Sequence, residues 1–374
     1  MATLADLVEL VRAPAALSVP GDVVAGAAAA GVLDRRTPAL AGASVLLYWA
    51  GMAANDWADR RLDAVERPER PIPSGRVHPG TAVGLAAGLT TAGVALAAAA
   101  GGRRAAAVAV PLAVTVWGYD LRAKNTPAGP AVMAACRGLD VLLGASGGRL
   151  TRALPAALTV AAHTWTVTAL SRREVTGADP ALPLGTLAGT AVVAAAAARA
   201  ARPTQDGDRP GRDALGRVGA GRGADPAGAR PAGPGGQPSA ARRHGEPQPA
   251  ESSRSDVRQG GDHVTSRRTD RNRARLSPRR GSAEGRAGSL RGTLAAVVPA
   301  ALAAWYAAGY GAAQARVVAE PSAGRVRAAV GAGITGLPAL QGALTARGGA
   351  GLLGLAVAAA APLGRRLARM VSPT

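Results

Sequence analysis

The chain has 374 residues, 48% of them hydrophobic, and carries 44 Lys and Arg against 24 Asp and Glu, a formal net charge of +20. A mean hydropathy of only +0.11 conceals that the apolar residues stand in blocks of Ala, Gly, Val and Leu, which marks a membrane protein and not an evenly mixed soluble domain. A single cysteine, Cys136, lying inside an apolar run, excludes an intrachain disulfide and a cysteine-based metal site and reads as a small packing residue.

The N-terminal stretch from Met1 to Pro20 places Asp6 and Glu9 ahead of its apolar part and has no cleavage-site pattern, so a retained first helix is expected. Apolar runs then follow at 15–38 (with a turn inside), 39–54, 79–100, 104–119, 127–147, 153–170, 181–200, 292–312, 326–345 and 348–364. Each is near the roughly 20 residues that cross a hydrocarbon core. They do not alternate apolar with polar residues, so helices are expected and barrel strands are not. The run at 326–345 has Arg325, Arg327, Gln341 and Arg347 at or near its ends and could lie in the interface instead of crossing. The fold class expected is all-α: a polytopic transmembrane bundle of about nine helices around a central cavity. Residues 1–200 form its N-terminal part, 291–374 its C-terminal helices, and 201–290 an insertion.

That insertion is rich in Arg, Gly, Pro, Ser and Asp, is poor in anything that could form a core, and is expected to be disordered and dispensable. Its arginines supply much of the net charge. They could serve an RNA-binding or anionic-lipid-binding arm, but the segment has no Tyr, Phe or Trp to stack bases, and no nucleic-acid partner is expected.

Chemistry concentrates between the second and third runs. Asn55, Asp56, Asp59 and Asp63 are spaced so that the three carboxylates share one face of a helix continuing from 39–54. Like charges on one face need cations to share it. Carboxylates with an amide oxygen are hard ligands suited to Mg²⁺, which completes its shell with water and substrate phosphate. Arg67, Arg70 and Arg76 offer planar forks for phosphate oxygens, so the stretch reads as a diphosphate site. The alternative is a salt-bridged loop in which Asp59, Asp63, Glu66 and Glu69 only neutralise Arg60, Arg61, Arg67 and Arg70.

Asn55 to Val77, including the tail Arg70, Pro71, Ile72, Pro73, Ser74, Gly75 and Arg76, resembles the first aspartate-rich motif of the UbiA superfamily of intramembrane prenyltransferases. The resemblance runs along the chain apart from 201–290, from an Arg12–Pro14 entry to the first helix, through Tyr119 to Lys124 after the fourth, to a second polar loop after the sixth. It implies that Tyr119 and Lys124 help hold the diphosphate. Lys124 is the only lysine in the chain; its other reading is an anchor flanking a helix. The family's second motif, D-x-x-D-x-x-G-D, is degenerate here: Glu174, Gly177 and Asp179 fit with a one-residue slip, and Ser171 stands where the first aspartate belongs. This variant resembles a bacterial branch of UbiA-like proteins, some associated with biosynthetic operons. By resemblance, Glu174 and Asp179 join Asn55, Asp56, Asp59 and Asp63 as metal ligands, and the five carboxylates form the catalytic set.

Among residues inside the runs, Arg137 and Asp140 could form an intrahelical pair or line the cavity, and on the second reading Arg137 joins the diphosphate-binding set. His163 reads as a hydrogen-bonded packing residue or, alternatively, as a base. Trp57, Trp117, Trp165 and Trp305 suit an interfacial belt. The function implied is Mg²⁺-dependent transfer from a prenyl diphosphate to an aromatic, quinone-precursor or lipid acceptor by a multi-pass protein of the cell membrane, with lipid around it and the aspartate loops on the cytoplasmic side. The alternative is a UbiA-like carrier that binds an isoprenoid without catalysing transfer.

Overall fold

Proline and small capping residues set where most helices begin. The computed structural model describes residues 2–199 and 297–360, and every regular element among them is helical. Helix α1 (Leu4–Leu10) starts at a capping box in which Thr3 and Asp6 bond each other's backbone. A 3₁₀ helix (Ala13–Ser18) leads into α2 (Pro20–Ala30), and α3 (Thr37–Glu66), α4 (Pro79–Gly118) and α5 (Gly129–Gly144) each have proline in the first turn. A π-helical turn (Tyr119–Ala123) closes α4. Then come α6 (Leu150–Ser171) and α7 (Ala181–Ala197). Residues 297–306 are helical and pass through a second π turn (Ala307–Gly311) into α8 (Ala312–Ala319). Helices α9 (Ala323–Arg347) and α10 (Gly351–Ala360) complete the described chain.

By length and composition α3, α4 with its π turn, and α6 can cross a membrane; α7 and α10 are shorter apolar helices. Helix α4 is two arms. Gly102 sits at φ 67°, ψ −159°, a conformation open to glycine and strained for other residues. Trp117 Nε1 donates to Thr90 Oγ1 at 3.0 Å, whereas 27 residues of straight helix would hold them about 40 Å apart. The runs at 79–100 and 104–119 are therefore the antiparallel arms of a hairpin, and Trp117 packs between them.

Small residues let helices touch. A Cβ on Gly144 would lie 1.9 Å from the Val23 carbonyl oxygen, and one on Gly26 would lie 1.8 Å from that of Val141, so α2 and α5 meet backbone to backbone. One core joins α5, α6, the 297–319 helix and α9 around Leu170, Tyr306, Tyr310, Leu340 and Leu344. Another joins α2 through α5 around Leu40, Leu47, Leu112 and Leu143.

One expectation is corrected. The run at 15–38 yields only the eleven-residue α2 behind a 3₁₀ helix, because Pro20 starts an α-helix and Gly31, at φ 72°, ends it. The run at 326–345 falls within α9, which is not among the helices long and apolar enough to cross a membrane. Its residues from Leu337 to Ala346 are all buried, and Gln341 reaches α2.

The connections after α3, α4 and α6 gather at one end of the bundle. Lys124 reaches Asn55 and Asp59, and Arg172 donates to the Thr126 carbonyl. The expected 201–290 insertion lies outside the described residues.

Candidate functional site

Helix α3 stays helical past its apolar part to Glu66, which turns Asp56, Asp59 and Asp63 onto one face. Each is met by a cation. Arg12 Nη2 lies 2.8 Å from Asp56 Oδ1, Arg70 Nη1 is 2.7 Å from Asp63 Oδ2 and 3.5 Å from Asp56 Oδ1, and Arg67 Nη1 is 3.4 Å from Asp63 Oδ1. Lys124 Nζ stands 2.6 Å from Asp59 Oδ1 and donates to Asn55 Oδ1 at 3.1 Å. The Asp56 and Asp63 side chains are 6% and 1% exposed, so these ion pairs are close to fully desolvated on the acid side.

Two backbone features deliver the cations. Arg12 is the one non-glycine residue with positive φ among those described, at φ 47° and ψ 51°, and this left-handed turn between α1 and the 3₁₀ helix aims its guanidinium at Asp56. Such strain recurs at functional sites. The π turn after α4 bonds the Lys124 N–H to the Tyr119 carbonyl at 2.9 Å. Five residues apart on an α-helix point about 140° apart; the wider turn brings Tyr119 and Lys124 toward one side.

Below the cluster lies a pocket of ≈ 80 Å³. Tyr119 and the buried Asp120 line it toward the cluster, Leu47, Leu112, Val116 and Met133 form apolar wall, and Ser44, Arg137 and Asp140 line its inner part. Ser44 precedes Asn55 by eleven residues, about 16 Å along α3. Cys136 is buried at the same wall.

Arg137 and Asp140 do not pair with each other. Arg137 Nε forms an ion pair with Asp22 Oδ2 on α2 at 2.8 Å and its Nη2 donates to the Ser18 carbonyl at 3.3 Å, while Asp140 Oδ1 accepts from Ser44 at 2.5 Å. No contact among the described residues links Arg137 to the aspartate cluster. Arg76 is likewise held elsewhere: its guanidinium bonds Asp6 at 2.8 Å, Glu9 at 2.7 Å and the Glu69 carbonyl at 2.8 Å, tying α1 to the loop. The bonds from Thr3, with Arg76 beside it, lower the Asp6 carboxyl to about 2.

The second loop shares this end of the bundle but faces other partners. Arg327 donates to the Glu174 carbonyl at 2.9 Å, Ala178 N to the Pro321 carbonyl at 3.1 Å, and Asp179 caps the backbone of Ala181 at 3.0 Å. Partial burial raises the Glu174 carboxyl, and Arg327 acts against it. Ser171 bonds its own helix at Thr168. His163 is buried with Nδ1 2.9 Å from Tyr306 Oη, the packing arrangement.

Among the described residues no three His, Cys, Asp or Glu side chains are grouped to hold a metal ion. The donor set of Asn55, Asp56, Asp59 and Asp63 suits a hard divalent cation in chemistry, and each carboxylate is ion-paired instead. A metal or a diphosphate would enter by exchanging these pairs. Sequence reasoning did not assign Asp22, Ser44, Asp120 or the Asp56 contact of Arg12 to the site. The one available signal was the Arg12–Pro14 pattern.

Residues 17–175 match the family model described as the UbiA prenyltransferase family. Digeranylgeranylglyceryl phosphate synthase of Methanopyrus kandleri is 37% identical over 132 residues, covering 35% of this chain and 47% of that protein. The protein of the same name from Ignicoccus hospitalis is 37% identical over 118 residues, 32% of this chain and 39% of that one. The bacteriochlorophyll synthase 33 kDa chain of Cereibacter sphaeroides is 54% identical over 35 residues, 9% and 12% of the two chains. The chain spans less than half the length of these curated relatives. A solved chain from work titled "Structural and mechanistic insights into the biosynthesis of Digeranylgeranylglyceryl phosphate synthase in membranes" has 17% identity and a TM-score of 0.44, over 51% of this chain and 75% of that one.

Proposed function

We propose, from the match of residues 17–175 to the UbiA prenyltransferase family model, that the protein is a cell-membrane, Mg²⁺-dependent prenyltransferase moving a prenyl group from a prenyl diphosphate to an aromatic, quinone-precursor or lipid acceptor. The observation that carries this reading is the meeting of Arg12, Arg67, Arg70 and Lys124 with Asn55, Asp56, Asp59 and Asp63 at the end of α3, above a largely apolar pocket.

The chemistry divides between the two. The guanidiniums and the Lys124 ammonium take diphosphate oxygens in place of the carboxylates, with the bidentate geometry that arginine favours. Mg²⁺, when bound, would be held by Asn55, Asp56, Asp59 and Asp63 and would offset the charge of the leaving diphosphate. The allylic C–O bond breaks with its electron pair going to the diphosphate, the acceptor's electron pair forms the new bond to the prenyl carbon, and the proton the acceptor gives up passes to the released diphosphate. The apolar wall of Leu47, Leu112 and Val116 lodges the hydrocarbon and excludes water from the reacting carbon. The loops face the cytoplasm on this reading, where soluble diphosphates are supplied. Arg60, Arg61, Arg67, Arg70 and Arg76 on that side agree with the positive-inside bias.

The test is release of diphosphate from geranylgeranyl diphosphate by purified protein in detergent, with and without Mg²⁺ and acceptor extract. Asp56→Ala and Asp59→Ala should abolish it, and release that survives both changes sinks the site assignment. The carrier reading draws support from the second loop, where Asp179 is spent on capping Ala181 and Ser171 stands in place of the first aspartate. Binding without release at any chain length would favour it.

A further inference from the structure

One buried oxygen at the inner part of the pocket has nothing to bond. Asp140 is 4% exposed, its Oδ1 accepts from Ser44 Oγ, and its Oδ2 has no hydrogen-bond partner among the described residues. Both residues line the pocket. The nearby positive charge is already committed. Arg137, three residues earlier on α5, is paired with Asp22, and the other Asp22 oxygen accepts from Gln341 Nε2 at 2.7 Å. The Asp22–Arg137 pair neutralises itself and leaves Asp140 as an acceptor facing the apolar walls of Leu47, Leu112, Val116 and Met133. Toward the cluster the same pocket is lined by a second carboxylate, Asp120.

A buried acceptor left unsatisfied costs about 1–3 kcal/mol, which a ligand supplying an O–H recovers. A ligand carboxylate brings only acceptors and meets no uncommitted cation at this wall. Ligand sites that are apolar with a few placed polar groups draw their specificity from those groups. We propose that this pocket is the acceptor subsite and that Asp140, held by Ser44, selects a lipophilic ligand with a neutral hydroxyl at its inner end and rejects the corresponding carboxylate. Asp140 sits with Ser44 about 16 Å below Asn55 along α3, so the contact recognises the ligand and is not made to the reacting atom. The role of the ligand as acceptor rests on the prenyl-transfer reading; the hydroxyl preference does not.

Equilibrium dialysis of the full chain in detergent against 4-butylphenol and 4-butylbenzoate tests it without any turnover. Wild type should bind the phenol about tenfold or more tightly than the benzoate, the ratio equivalent to about 1.4 kcal/mol. Asp140→Leu should lose most of that phenol affinity, and Asp140→Asn, which puts an N–H donor where an oxygen stood, should narrow the preference against benzoate. Ser44→Ala, which frees the carboxylate to turn, should weaken phenol binding where the Asp140 variants fail to fold. Benzoate bound as tightly as phenol by wild type, or phenol affinity unchanged in Asp140→Leu, overturns the proposal. A protein that discriminates the two probes but releases no diphosphate leaves the subsite standing and removes the transferase reading. One that releases diphosphate and does not discriminate does the reverse.

Discussion

Replacing Arg70 with Met removes a side chain that touches both Asp56 and Asp63. Arg70 Nη1 lies 2.7 Å from Asp63 and 3.5 Å from Asp56, and the three side chains are 21%, 1% and 6% exposed in that order. At 2.7 Å the gross attraction is about 6 kcal/mol at an effective dielectric of about 20, but both groups left water to make it. The measurable cost is instead that of carboxylates left buried, about 3–5 kcal/mol for a fully enclosed pair. Arg67 at 3.4 Å from Asp63 and Arg12 at 2.8 Å from Asp56 remain, so a loss of about 2–3 kcal/mol is expected. Denaturant unfolding in micelles, followed by tryptophan fluorescence with Trp57 beside the cluster, reads it as a lowered midpoint at unchanged slope. Arg70→Lys should fall between, since its ammonium keeps the charge but ends one atom short of the Nη1 that makes both contacts. Adding Asp63→Leu to Arg70→Met should recover much of the loss, because removing both partners leaves no stranded charge. A stability within about 0.5 kcal/mol of wild type for Arg70→Met, or strict additivity in the double variant, would refute the claim that these carboxylates depend on the arginine.

Lys124→Ala should weaken prenyl diphosphate binding by about 1–3 kcal/mol in a direct titration, as expected for one charge-assisted contact; an unchanged dissociation constant returns Lys124 to an anchoring role. Chelating Mg²⁺ should stop diphosphate release while shifting the unfolding midpoint little, since the protein's own cations already neutralise Asp56, Asp59 and Asp63. Gly144→Ala drives a methyl into the Val23 carbonyl, a would-be 1.9 Å contact, and should cost about 1–3 kcal/mol as overpacking, read by the same unfolding assay. The Asp6 carboxyl is lowered in the folded protein from 3.8 to about 2, so its contribution to docking α1 is complete above the unfolded value and is lost as pH falls through about 2. Protease protection of α1 should hold at about pH 4 and disappear near pH 2, and Asp6→Asn should abolish that dependence.

What was legible in the sequence was local. The apolar blocks foretold most helices, Gly101 to Arg104 divided the two arms of α4, and the aspartate spacing put Asp56, Asp59 and Asp63 on one face because a helix has a fixed period. The sequence leaves Arg137 between an intrahelical pair with Asp140 and a place in the cavity wall, and the structure gives it the wall and a different carboxylate. Its bond runs to Asp22, 115 residues earlier, and nothing in the spacing of α5 prefers that partner over Asp140, three positions away. The π turn that brings Lys124 round to Asn55 was invisible for a similar reason: one extra residue in a turn leaves no mark in composition. Arg76 looked like one more phosphate fork and is taken by Asp6 and Glu9, a competition between acids that only the docking of α1 decides.

The reversal at Gly102 bears on how the protein reaches its membrane. Thr90 and Trp117 are bonded across the two arms of α4, so neither arm needs to await a distant segment before it has a neighbour to pack against. The tip between them carries Arg103 and Arg104, both exposed, on the opposite side from the aspartate loops. Two arginines are costly to carry across a bilayer on a lone helix. When both arms enter together as a preformed hairpin, the apolar length of the pair offsets that cost in a single event. Biogenesis of this segment is then cooperative, and a break at Gly102 would disturb delivery to the membrane before it disturbed anything at the aspartate cluster.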